Sequence, residues 1–153
     1  MSDTVLEPVL FYERRFYCFS NFASFAVEWR DELWMTSEHA YQAAKFSSPH
    51  LKRIIQQARS AHDAKLIAHA NEQYKREDWE SIKITVMEEI CRAKLQQHEF
   101  IRRRLLETGT REIIEDSHKD SFWGWGPDQK GQNMLGKIWM KLREELVLYQ
   151  ERA

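Results

Sequence analysis

The chain has 153 residues, a formal net charge of −1, and 42% hydrophobic against 31% charged residues. That length makes one domain, which buries roughly 70% of its unfolded surface without needing a disulfide or a metal. The composition excludes a disordered chain, a strongly basic nucleic-acid sleeve and an acidic tail, and with only five Gly and three Pro it favours helices over a loop-rich sandwich. Val9-Leu10-Phe11-Tyr12 reads as a short β-prone run. Phe25, Val27 and Trp29 alternate with Ala26 and Glu28 before Arg30-Asp31-Glu32 and Leu33-Trp34-Met35, which predicts a hairpin. Helix formers follow over Glu38–Phe46, capped by Thr36 or Ser37. Ser48-Pro49 starts a second helix and Ser60–Ala70 a third. From Asp78, the residues Trp79, Ile82, Val86, Ile90 and Ala93 mark one buried face, widened by Met87 and Cys91. His98–Thr108 is a helix ended by Gly109. The last helix runs from about Gln132 to Glu151, with Leu135, Ile138, Trp139, Leu142, Leu146 and Tyr149 on one stripe. The expected architecture is mainly α: a single compact multi-helical domain over residues 1–153 with a small β-hairpin near the N-terminus.

Cys18 and Cys91 lie far apart, outside any CxxC, and no His sits at ligand spacing, so no metal site is expected. The opening Met1-Ser2-Asp3-Thr4 has neither the basic nor the apolar region of an export signal, and no apolar stretch approaches the roughly 18 residues that span a bilayer. A cytoplasmic protein with reduced thiols is the expectation, without a membrane partner. Phosphate-loop, dinucleotide-fold and serine-hydrolase elbow motifs do not occur.

Two segments break the pattern. In Ser37–Phe46, Glu38, Tyr41, Gln42 and Lys45 fall at i, i+3, i+4 and i+7 and form a polar stripe on one helix face. The surrounding residues are apolar, so the stripe either faces a cleft or is a solvated face on which Glu38 starts the helix and Lys45 is its partner. Glu38 sits in the first turn, where the helix dipole favours a carboxylate. The second segment is Asp120–Asn133, which contains Phe122-Trp123-Gly124-Trp125-Gly126 and Lys130-Gly131. Its glycines would let backbone approach a ligand, its indoles supply a stacking surface, and the following helix N-terminus with Lys130 offers a phosphate site. The bland reading is a tryptophan-rich loop that caps the core. Asn21, in the aromatic stretch Phe16–Phe22, is placed to bond a ligand hydroxyl, though turn chemistry explains it as well. Trp79 reads first as a core residue. Arg102-Arg103-Arg104 reads as a solvated face, and of the six scattered His the two singled out are His39, beside Glu38, and His118, near Asp120.

Phe19-Ser20-Asn21-Phe22, Trp34 through Phe46, Asp78–Lys83 through Met87, Arg92-Ala93-Lys94-Leu95, Asp120–Gly124 and Gly131–Gly136 together resemble the YbiA-like, or NADAR, family, in family order and from about residue 9 to 148. The resemblance implies a mostly α-helical N-glycosidase that cleaves the bond between a ribose carbon and a base nitrogen. One branch hydrolyses phosphoribosylated aminopyrimidine intermediates of riboflavin biosynthesis, disposing of damaging metabolites. Another removes ADP-ribose from guanine in nucleic acid. The family's functional Glu, Trp and Asp fall on Glu38, Trp79 and Asp120, which makes Trp79 a site wall. The chain departs from the family at Met35, where Pro is frequent, and in the extra Trp125.

Breaking an N-glycosidic bond leaves an oxocarbenium-like ribose that one carboxylate stabilises while another carboxyl group handles water or the leaving nitrogen. Glu38 and Asp120 are given these two jobs, in either order. Lys45 is the alternative, an amine that traps the opened sugar as a Schiff base. Ser20, Asn21, Phe22, His39, Gln42, Trp123, Gly124, Lys130 and Asn133 are the expected substrate contacts. No metal or redox cofactor is required. The expected partner is a small phosphoribosyl or ADP-ribosyl molecule, with nucleic acid only as an ADP-ribosylated substrate. A non-catalytic ADP-ribose-binding module is the third reading.

Overall fold

A computed structural model of the protein describes residues 6–11 and 14–152. The Tyr12 end of the first predicted strand and the Met1–Thr4 opening lie outside them. In chain order the elements are β1 (Val9–Leu10), a 3-10 segment (Arg14–Phe19), β2 (Val27–Trp29), β3 (Glu32–Trp34), α1 (Ser37–Ala44), α2 (Pro49–Gln56), α3 (Ala61–Ala70), a 3-10 turn (Glu72–Tyr74), α4 (Trp79–Gln97), α5 (Glu99–Glu107), β4 (Ile113–Ile114) and α6 (Met134–Arg152). The protein is mainly α, and its strands are two or three residues long. The chain divides into two compact units, one formed by residues 21–98 and the other by residues 1–20 with 99–153.

The unit of residues 21–98 begins with the predicted hairpin. β2 pairs antiparallel with β3, Val27 opposite Trp34 and Trp29 opposite Glu32. Arg30 and Asp31 both take positive φ, 52° and 65°, the pair of values that matches the twist of a two-residue turn. Thr36 then caps α1, its Oγ1 accepting the His39 amide at 3.2 Å. Ser48 caps α2 through the Leu51 amide at 3.3 Å, and Ser60 caps α3 through the Asp63 amide at 3.0 Å. α1 packs against α2, α3 and α4, and every one of its eight residues is buried. A helix that is buried all round while carrying Glu38, His39 and Gln42 is unusual, because each polar group must find a partner or be desolvated at a cost. On α4 the buried face holds Trp79, Val86, Met87, Ile90, Cys91 and Leu95. Ala93, expected on that face, is half-buried, and Lys94 takes the buried place with its ammonium 5.6 Å from the Phe25 ring centre. The cation and the ring face attract, which offsets part of the desolvation of the charge.

In the other unit β1 pairs in parallel with β4, Val9 opposite Ile113, a pairing across about a hundred residues that local pattern does not announce. α5 ends where expected, with Gly109 at φ 60° after its last turn. α6 buries Leu135, Ile138, Trp139 and Leu142, and the Trp139 indole N–H donates to the Phe19 carbonyl at 3.0 Å. The predicted stripe stops there. Leu146 is half-buried and Tyr149 is 74% exposed.

Asn133 fastens this unit. It is buried, with φ 50°. Its Nδ2 donates to the Ile113 carbonyl and its Oδ1 accepts the Glu115 amide, both at 2.9 Å. Asn is among the few non-glycine residues that adopt this backbone readily. Asn133→Ala strands the buried Ile113 carbonyl and the half-buried Glu115 amide and adds backbone strain. A loss of about 3 kcal/mol is expected, read as a fall in Tm of roughly 10 °C by calorimetry. A Tm within 2 °C of wild type would refute this role.

Candidate functional site

The polar stripe of α1 does not face open water. Glu38 is 6%, Gln42 3% and Lys45 8% exposed, so the reading of Lys45 as a solvated partner is overturned. The Glu38 amide donates to the Asn21 backbone carbonyl at 3.0 Å, which seats the segment before the hairpin against the first turn of α1. One turn on, Gln42 Nε2 donates to Glu38 Oε1 at 2.6 Å. The short bond restrains the rotation of the carboxyl group.

Lys45 ends the stripe, its Nζ 5.4 Å from the Tyr41 ring centre. Burial pushes its ammonium below the usual lysine range, and the attraction of Glu38 only partly restores it. The Tyr41 ring also meets Trp79 edge-on, centres 5.3 Å apart. Trp79, expected as a wall of the site, is 2% exposed and lies in the packing between α4 and α1. It shapes the stripe through Tyr41, the residue that the sequence reading placed on the stripe without giving it a task. The available signal was its spacing, three residues from Glu38 and four from Lys45.

His39 has a different surrounding from the one expected of a substrate contact. It is fully buried, with Nε2 3.0 Å from the Ala58 carbonyl and Nδ1 2.7 Å from Thr36 Oγ1. A carbonyl only accepts, so Nε2 carries the proton and both ring nitrogens are occupied within the unit. Phe22 is half-buried. Asn21 is 8% exposed and turns its Nδ2 toward Met87 Sδ at 3.3 Å.

The other unit carries Ser20, Asp120, Trp123, Gly124, Lys130 and Asn133. Ser20 is buried and its amide donates to the Tyr17 carbonyl at 2.8 Å. Half-buried Asp120 shapes the loop, its Oδ1 accepting the Phe122 and Trp123 amides at 2.9 and 2.8 Å. Trp123 stands edge-on to Phe122, centres 4.8 Å apart. The extra Trp125 is anchored by its indole N–H to Asp116 at 3.0 Å. At Gly124 the close approach is that of the loop to itself, since a Cβ there would stand 2.8 Å from the Glu115 carbonyl oxygen and 2.9 Å from that of Asp120.

The amides expected to hold phosphate are taken as well. Those of Met134 and Leu135, opening α6, donate to the Phe122 and Trp123 carbonyls at 2.9 and 3.1 Å. The anion-binding capacity of a helix start lies in its free amides, and here the loop uses these two. Lys130 is exposed, so any phosphate contact there falls to its side chain.

Residues 10–147 match the NADAR domain. The chain is 37% identical over 130 residues to N-glycosidase YbiA of Escherichia coli, covering 85% of this chain and 81% of that protein. It is 37% identical over 132 residues to an N-glycosidase of Nostoc punctiforme, covering 84% and 85%. It is also 38% identical over 147 residues to a riboflavin biosynthesis protein of Vibrio vulnificus, of which it spans only 40%. The NMR structure of E. coli YbiA superposes with a TM-score of 0.86 at 34% identity, over 97% of this chain and 91% of that one. The chain belongs to the NADAR family. Among the described residues, no helix is long and apolar enough to cross a membrane.

Proposed function

We propose that residues 1–153 act as one N-glycosidase domain that hydrolyses the ribose–nitrogen bond of phosphoribosylated aminopyrimidine intermediates of riboflavin biosynthesis, in the cytoplasm. N-glycosyl hydrolysis comes with the relatives that carry that name and match most of their length. The substrate is our reading, supported by the riboflavin biosynthesis protein among the relatives. The observation that carries it is the buried carboxylate of Glu38, held by Gln42 on a helix with no solvated face. Such a fixed anion in a poorly solvated setting stabilises an oxocarbenium-like ribose more than a hydrated carboxylate would. Asp120 is the second carboxyl group, for water or the leaving nitrogen. The aromatic loop at Trp123 receives the base.

The test is a purified-protein assay read by mass spectrometry with two substrates in parallel. One is the phosphoribosylamino-pyrimidine made fresh by the upstream enzymes, the other an oligonucleotide bearing ADP-ribosylated guanine. Release of ribose 5-phosphate from the first alone is expected. Release of ADP-ribose from the second alone would overturn the substrate assignment. The net charge of −1 gives a polyanion little attraction.

Lys45 supports a second reading of the chemistry, because its lowered ammonium pKa enlarges the neutral, nucleophilic fraction. If the opened sugar is held as an imine, borohydride added during turnover fixes the sugar mass on the Lys45 peptide and stops the enzyme. An unmodified peptide with undiminished turnover would leave Lys45 as an electrostatic neighbour only.

A further inference from the structure

The amide of Gln42 has one satisfied end and one unsatisfied end. A carboxylate offers only acceptors, so the amide nitrogen must be the end that faces Glu38. The carbonyl oxygen is thereby turned away from Glu38. It is buried and meets no hydrogen-bond donor. Asn21, whose backbone meets the first turn of α1, likewise has one satisfied and one unsatisfied end to its side-chain amide. Its backbone carbonyl takes the Glu38 amide, its Nδ2 faces Met87, and its Oδ1 is buried without a donor. Both side chains are more than nine-tenths buried. An orphaned buried acceptor is costly, and a protein that keeps one on the residue that holds Glu38, and another on the residue that accepts the Glu38 amide, has a use for donors brought from outside.

We propose that Gln42, with Asn21, sets the specificity of the site for a sugar that keeps its 2-hydroxyl, the Gln42 carbonyl accepting that hydroxyl while its amide nitrogen holds Glu38. This deepens the N-glycosidase reading and rests on Glu38 acting at the anomeric carbon. The choice of hydroxyl follows from position. Gln42 is bonded directly to the Glu38 carboxylate, so its carbonyl reaches the neighbourhood of the reacting carbon, and the first hydroxyl beside that carbon is the one on C2. Hydrogen bonds to this hydroxyl also strengthen as positive charge develops on the ring, so the contact serves selection and rate together.

The experiment titrates ribose 5-phosphate and 2-deoxyribose 5-phosphate into wild type and into Gln42→Met by calorimetry, with Tm measured for both proteins. Wild type is expected to bind the ribose form about ten- to a hundredfold more tightly. Gln42→Met is expected to bind the two within about threefold. Its Tm is expected to fall, since methionine removes the donor to the buried Glu38 carboxylate together with the unsatisfied acceptor. Equal affinities in wild type would overturn the inference, as would a preference that survives in a folded Gln42→Met. The wild-type comparison needs no variant and decides the matter even if Gln42→Met fails to fold. A clear 2-hydroxyl preference without turnover of the phosphoribosylamino-pyrimidine supports the hydroxyl site and removes the substrate assignment. Turnover without the preference removes this inference alone.

Discussion

Glu38→Gln lowers kcat/KM for N-glycoside hydrolysis by about 10²- to 10³-fold and leaves Tm close to wild type. The size follows from the removal of a fixed negative charge from a buried position, where no water takes over its work. The stability follows from geometry. A glutamine at 38 still offers a carbonyl oxygen to Gln42 Nε2, and its own amide still donates to Asn21. The exchange also withdraws the attraction that raises the Lys45 pKa, so the lysine titrates lower still and is more often neutral. The variant therefore separates the two chemistries. Turnover lost while borohydride trapping on Lys45 persists would assign the imine to lysine and the later hydrolytic step to Glu38. Full wild-type turnover of Glu38→Gln would end the catalytic assignment of the glutamate.

Asp120 calls for a pair of variants, because it has a visible structural task. Its Oδ1 holds two amides of the aromatic loop. Asp120→Asn keeps an oxygen in that place and removes the charge. Asp120→Ala removes both. If the carboxylate takes part in the reaction, Asp120→Asn loses about 10²-fold or more in kcat with Tm nearly unchanged, while Asp120→Ala loses the same activity and some stability. If Asp120 only shapes the turn, Asp120→Asn is as active as wild type and Asp120→Ala alone is impaired. Kinetics on the phosphoribosylamino-pyrimidine, with a melting curve for each variant, decides between them.

Much of the fold was legible because its signals are local. The hairpin follows from alternation around Arg30-Asp31, the starts of α1, α2 and α3 from Thr36, Ser48 and Ser60, and the end of α5 from Gly109. Each depends on residues a few positions apart. The parallel pairing of β1 with β4 was not legible, since two-residue strands a hundred positions apart carry no periodicity. The exposed end of the α6 stripe has the same origin. Apolar spacing tells which face of a helix turns inward, and only the elements packed against it tell for how many turns.

For the candidate site, the sequence by itself determined the family pattern, the stripe of Glu38, Tyr41, Gln42 and Lys45, and the aromatic loop after Asp120. Residue type and helical spacing suffice for that. Tertiary structure decided what those residues face. It buried α1 on all sides, lowered the pKa of Lys45, occupied both nitrogens of His39, and spent the first amides of α6 on the loop. It also left the Gln42 and Asn21 carbonyl oxygens without donors. Burial and hydrogen-bond partnership are properties of neighbours distant in sequence, and desolvation by those neighbours makes the polar stripe a candidate site.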